Sequence, residues 1–187
     1  MPQTIVIAFS TLDGIIEDPD GRGGTAHGGW AFRDGPPPPD HFRLGPKLDT
    51  GVLLLGGKTW ELFSHIWPGR TDDFSMAMNR IPKLVATRTR TDLSAWENSS
   101  LMSGELLDAV EQAKADRDVI IAGSASIVHA LAEHDRVDEY RVLFFPTALG
   151  DGTPLFSRKA APVQLRLVSA EASGPAILAR YERFAGR

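Results

Sequence analysis

The chain has 187 residues, an apolar fraction of 42%, a formal net charge of -4 and no cysteine, a composition that fits one globular domain with a sizeable core. Without cysteine there are no disulfides, thiolate metal sites or cysteine nucleophiles, and zinc nucleobase deaminases, which use a Cys-x-x-Cys pair, are excluded with them. Lysines and arginines are scattered without a basic stripe, which argues against a nucleic-acid partner and for a small molecule.

Thr4 to Phe9 is continuously apolar and β-branched, and predicts a central strand buried on both faces. That run and the one from Val52 are too short to cross a membrane, and the N-terminus lacks the build of a signal peptide, so the expectation is a cytoplasmic protein. Ser10 to Pro39 breaks the pattern with Asp-Gly, Gly-Gly and four consecutive prolines. Ordering so long a loop costs about 1–2 kcal/mol per residue, which makes it a candidate functional loop, and Trp30 and Phe32 give it something to pack with. Asp40 to Leu48 reads as a short helix, and Gly51 to Leu55 as a second buried strand.

Gly56-Gly57-Lys58-Thr59 ends like a phosphate-binding loop of nucleotide hydrolases, but the motif's first glycine would fall on Val52, inside the strand. What survives is a strand-to-helix turn in which Lys58 and Thr59 sit at a helix start. Free N–H groups and the positive end of the helix dipole favour an anion there, and a plain helix cap with a solvated lysine is the alternative.

A helical segment from Phe74 to Arg80 precedes a third strand, Pro82 to Ala86, which ends at Thr87-Arg88-Thr89-Arg90. These residues can grip a phosphate monoester or form an ordinary solvated loop. Glu105 to Lys114 is an amphipathic helix with Ser103 as its expected N-cap. Val119 to Ile121 is a short buried strand that stops at Ala122-Gly123-Ser124 and turns into a helix bearing Ile127, Val128 and Leu131. This is a third anion-friendly turn, although many α/β proteins have such a turn and bind nothing there. Glu139 to Phe145 is the next strand, and Val163 to Ala172 with Ala176 to Phe184 alternate as an antiparallel hairpin.

Strands alternating with helices and then a hairpin predict one α/β domain over 1–187, a sandwich with a mostly parallel central sheet and an antiparallel C-terminal hairpin. In such a sheet ligands lie outside the carboxyl ends of the strands, so the three turns can face one molecule with several phosphates. The five histidines carry no metal signature; His129 and His134 are five apart, and His129 reads as a surface helix residue.

Several pieces, in order along the chain, carry a resemblance: Leu12-Asp13-Gly14, LLLGGKTWELF from Leu53, KLVATR from Lys83, IIAGSASIV from Ile120, and VDEYRVLFFPTALGDGTPLF from Val137. Together they resemble the three-layer dihydrofolate-reductase-like superfamily. Within it, the chain is similar to the C-terminal reductase domain of bifunctional riboflavin-biosynthesis deaminase-reductases and to its stand-alone bacterial relatives.

The resemblance implies NADPH as hydride donor. It implies Gly56, Lys58 and Thr59 against the cofactor's phosphates and Thr87 with Arg88 at the adenosine 2′-phosphate. Gly123, Ser124, Ala125, Ser126 and Ile127 would hold the pyrophosphate, Ala8 and Ile16 would line the nicotinamide pocket, and Ala8, Ile16 and Trp30 would contact the substrate. Gly57 stands where the family usually has arginine. The implied activity is reduction of a pterin-like or pyrimidine-like planar heterocycle; binding of the nucleotide without turnover, and true dihydrofolate reduction, are the alternatives. Candidate proton donors are Asp13, which also suits a turn-fixing role, and Asp40 after the prolines. A homodimer joined at sheet edges is expected by the same resemblance.

Overall fold

In the computed structural model, which describes residues 1–35, 38 and 40–184, eight strands form one sheet in the order β4-β3-β2-β5-β1-β6-β8-β7. They are β1 (Thr4–Thr11), β2 (Val52–Gly56), β3 (Lys83–Ala86), β4 (Ser99–Leu101), β5 (Val119–Ile121), β6 (Glu139–Phe145), β7 (Leu165–Ser173) and β8 (Ala176–Arg183). The first six run parallel, and β8 and β7 return antiparallel beside β6. Pro36, Pro37 and Pro39 of the proline run lie outside the described residues.

Apolar residues without interruption make β2 and β5 buried at every position, as strands covered on both faces must be. Helices α1 (Lys47–Thr50), α2 (Gly57–Ser64) and α3 (Asp73–Arg80) cover one face. They bury Leu48, Trp60, Ala77 and Met78 against Ile5, Leu53, Leu55 and Ile120. Helices α4 (Leu106–Ala113) and α5 (Ala125–Glu133) cover the other. There Val110, Ile127, Val128 and Leu131 meet Val6, Leu54, Val119 and Ile121. Three layers result, in the dihydrofolate-reductase-like arrangement.

Three local expectations need correction. Asp40 to Leu48 is not a helix: Asp40 and Arg43 have φ of 48° and 52°, and helix α1 starts only after Gly45-Pro46. Ser103 does not cap α4, whose N-cap is Glu105 without a side-chain hydrogen bond. The edge strand β4 has no apolar alternation to announce it; Ser100 and Leu101 are exposed, and its partner is β3.

The long loop is organised by one carboxylate. Asp18, at φ 49°, accepts hydrogen bonds from the Gly23 N–H (2.6 Å), the Thr25 N–H (2.9 Å) and the Thr25 hydroxyl (2.9 Å). Trp30 then closes the loop from below: it is 2% exposed, and its indole N–H donates to the Glu17 carbonyl at 2.8 Å.

Lys83 is buried on β3, with Nζ donating to the carbonyls of Asn79 (2.6 Å) and Glu97 (2.9 Å) and lying 4.3 Å from the Trp96 ring centre. Desolvation lowers its pKa from 10.5 to about 8, against the opposing pull of Glu97. Between those values the unfolded chain holds a proton the folded chain has released, so stability rises with pH across the window. Paired thermal melts are therefore expected to show wild type gaining on Lys83→Met from about pH 8 to about pH 10. A constant difference would contradict the assignment.

Candidate active site

The three anion-friendly turns interlock at the carboxyl ends of β2, β3 and β5. The Gly56 N–H donates to the Gly123 carbonyl at 3.0 Å. A Cβ on Gly56 would lie 2.6 Å from the Ser124 hydroxyl, one on Gly57 2.9 Å from the Thr87 hydroxyl, and one on Gly123 3.1 Å from the Thr59 hydroxyl. Each glycine therefore lets one turn close on the next. Gly123 also has φ of 120°, a conformation that side-chain-bearing residues rarely adopt, and the Gly123–Ser124 peptide is cis.

Helices α2 and α5 start here without side-chain caps. They leave neighbouring strands for opposite faces of the sheet. The chain turns from β2 towards β3 on one side and from β5 towards β6 on the other, which is the switch point where α/β sheets bind ligands. Two helix N-termini with free N–H groups face this crevice, and anions are stabilised there.

Lys58 is exposed and Thr59 half-buried at the start of α2. Across from them, the Ser124 and Ser126 hydroxyls are 2.8 Å apart at the start of α5, with half-buried Ala125 between them. Ile127 turns into the core, and its N–H donates to the Ser124 carbonyl at 3.1 Å, so it shapes the turn from below. Thr87 holds its own turn by accepting from the Arg90 N–H at 3.3 Å. Of the two guanidiniums, Arg90 pairs with Glu61 at 2.8 Å and lies over Trp60. Arg88 is exposed and forms no ion pair among the described residues.

Strand β5 ends opposite Val6 of β1, while β1 continues beside β6 to Thr11. This leaves a notch at Ala8 and Phe9. Ala8 and Ile16 are half-buried on the α5 side. On the α2 side, Phe9 contacts Phe32, His41, Phe42 and Phe145, with ring centres 5.1–6.0 Å apart.

Both candidate carboxylates are engaged by the turns around them. Asp13 accepts from the Thr11 hydroxyl (2.5 Å) and the Gly150 N–H (2.6 Å). These bonds, the Thr11 hydroxyl foremost, bring its pKa from 3.8 to about 2, so it stays ionised and fixes the turn. Asp40 accepts from the N–H groups of Leu44 (2.7 Å) and Gly45 (3.2 Å), which binds it to its own turn. Trp30 is likewise corrected from a substrate contact to a core residue that anchors the loop.

Sequence reasoning missed two residues. His41 packs at a tilt against Phe42 and Phe9, at 4.5 and 5.1 Å between ring centres, and its Nδ1–H donates to the Pro38 carbonyl at 3.0 Å. Burial lowers its pKa below 6.5, against that hydrogen bond and the nearby Asp40 charge. Arg141 on β6 pairs with Glu139, each side chain 3% exposed, and donates to the carbonyls of Phe42 and Arg43. It therefore fastens the His41 segment to the sheet. The only signal for either was an aromatic-rich segment after the prolines and a charge pair inside an apolar strand.

His129 is half-buried, and its Nε2 lies 2.9 Å from the Pro154 carbonyl. Among the described residues no group of three His, Cys, Asp or Glu side chains gathers to hold a metal ion, and no helix is long and apolar enough to cross a membrane.

Comparison with known proteins places this geometry. The profile of the RibD C-terminal domain matches residues 2–179. The uncharacterized protein YyaP of Bacillus subtilis (strain 168) is 26% identical over 166 residues, covering 85% of this chain and 82% of that one. A protein of Shewanella sp. PV-4 assigned provisionally to riboflavin biosynthesis superposes with a TM-score of 0.73 at 22% identity, covering 97% of this chain and 98% of its own. The diaminohydroxyphosphoribosylaminopyrimidine deaminase/5-amino-6-(5-phosphoribosylamino)uracil reductase of Thermotoga maritima superposes with a TM-score of 0.65 at 16% identity, covering 97% of this chain and 56% of its own.

Proposed function

Because the chain belongs to the RibD C-terminal domain family, we propose that it is an NADPH-dependent reductase of a small planar heterocycle. The observation that carries this is the interlocking of the Gly56, Gly57 and Gly123 turns between two uncapped helix N-termini. A Cβ would fill this cradle, and its donors suit phosphates. Lys58, Thr59, Ser124 and Ser126 would hold the phosphates, and Gly123 would let the dinucleotide approach the backbone closely. When bound, NADPH supplies the hydride; the protein orients it at the notch and excludes water.

Thr87 and Arg88 would receive the adenosine 2′-phosphate. A side chain at Gly57 would collide with Thr87, so the arginine usual in the family has no room, and Arg88 is left as the cation for this group. Losing a charge-assisted hydrogen bond costs about 1.5–3 kcal/mol. Arg88→Ala is thus expected to weaken NADPH binding roughly ten- to a hundredfold and leave NADH unchanged, by titration calorimetry. An equal effect on both nucleotides would remove Arg88 from the 2′-phosphate site.

The test of the function is twofold: NADPH binding by calorimetry, then loss of nicotinamide absorbance with candidate heterocycles. Absence of NADPH binding would overturn the proposal. One observation favours the second reading, nucleotide binding without turnover: both candidate carboxylates are committed to backbone turns. The same commitment argues against dihydrofolate reduction, which needs a carboxylate facing the pterin.

The partner proposed is a second copy of the chain. Leu167 and Val168 on the outer strand β7 are 56% and 43% exposed, and an unpaired strand edge with exposed apolar side chains is covered most simply by its own symmetry mate. Light scattering is expected to give a dimer.

A further inference from the structure

The mechanism just proposed leaves one titratable ring unused beside the notch, and it rests on an aromatic wall. His41 lies between Phe9 on β1 and Phe74 on α3, with ring centres at 5.1 and 5.7 Å. Beyond Phe74, at 5.6 Å, stands Trp67, whose indole N–H is buried and has no acceptor among the described residues. The cluster thus forms flat apolar surface beside the notch, which suits a planar ligand.

The tautomer of His41 is fixed by its partner. A carbonyl only accepts, so Nδ1 carries the hydrogen bonded to Pro38, and the neutral ring has Nε2 as its acceptor. Nε2 makes no hydrogen bond to the described residues. We propose that His41 is the specificity residue for the substrate: its Nε2 accepts a ring N–H of a planar heterocycle lying against Phe9. The substrate class is therefore a flat heterocycle with a lactam-like N–H edge, recognised by a neutral acceptor where a carboxylate would select an amidine-like edge. This rests on the reductase reading, which puts the nicotinamide over the same notch.

The charges facing His41 are Asp40 and Arg43 on its own segment, with Arg141 and Glu139 of β6 behind the latter. The elements packed on it, β1 and α3, present Phe9 and Phe74. Desolvation outweighs the carboxylate and keeps the ring neutral at neutral pH. Acid then protonates Nε2 and turns the acceptor into a donor.

The probe is the fluorescent pteridinedione lumazine, titrated by fluorescence in the presence of NADP+ and compared with its N,N′-dimethyl derivative, which lacks the ring N–H groups. His41→Gln keeps an oxygen acceptor near the Nε2 position, whereas His41→Asn keeps only a donor for Pro38. Lumazine is expected to bind wild type and His41→Gln at least roughly tenfold more tightly than His41→Asn, a difference of one buried hydrogen bond. It should also outbind the dimethyl derivative on wild type, and its affinity should fall on acidification below about pH 6.5. Equal binding by both variants, indifference to methylation, or no lumazine binding to the NADP+ complex would overturn the proposal. NADP+ binding, read by calorimetry in each variant, is expected to be unchanged; its absence in wild type would instead bring down the reductase reading itself.

Discussion

Arg141→Met is expected to cost about 3–5 kcal/mol of folding stability, because it leaves the buried Glu139 carboxylate short of its main partner. The guanidinium and the carboxylate are both 3% exposed. Arg180 still reaches Glu139 at 3.1 Å, which holds the loss near the lower end of that range. The carbonyls of Phe42 and Arg43 lose their donor at the same time, so the turn carrying His41 loosens with the core. Urea unfolding checks the magnitude, and the double replacement Arg141→Met with Glu139→Leu separates two causes. If the penalty is an uncompensated charge, the double variant recovers most of the stability. If it is the lost anchoring of the turn, it recovers little.

Gly123→Ala is expected to weaken NADPH binding by at least roughly tenfold, while Ser126→Ala, which keeps the backbone path, costs less. At φ 120° an alanine is strained wherever space allows, and its Cβ would press on the Thr59 hydroxyl at 3.1 Å. Backbone held in such a region costs about 1–3 kcal/mol. The relief available is to open the turn, and opening separates Gly123 from Gly56, whose N–H it accepts. Calorimetry with NADPH measures the loss, and a thermal melt of the unliganded variant measures the strain. Full affinity with an unchanged melt would mean that the turn has another way to accommodate a side chain.

The sheet and the three turns were legible because their signals are local. Continuous apolar runs mark β1, β2 and β5, and small residues mark the strand-to-helix turns. Legible too was the meeting of these turns in space, since parallel strands align their carboxyl ends. The proton donors were not. Asp13 and Asp40 have the right chemistry in the right part of the chain, but Asp13 accepts from the remote Gly150 N–H, a contact that no spacing announces, and Asp40 accepts from the Leu44 N–H of its own turn. That Trp30 gives the loop something to pack with was legible; its place in the core, with its N–H on the Glu17 carbonyl, was not. His41 and Arg141 act through a pairing 98 or more residues apart, which a single sequence leaves unmarked.

The strand order has a consequence for how the chain reaches this state. Strand β1 precedes β2, β3 and β4 in the chain, yet it lies between β5 and β6, and its partners are Val119 to Ile121 and Glu139 to Phe145. A nascent chain therefore carries the run Ile5 to Phe9 without either neighbour until β5 and β6 have left the ribosome. Closing such long loops before any reward from pairing slows folding, and an apolar strand left waiting is the segment a chaperone would hold. Strand β1 is made before β2, β3 and β4, yet it is secured only by strands made after all of them.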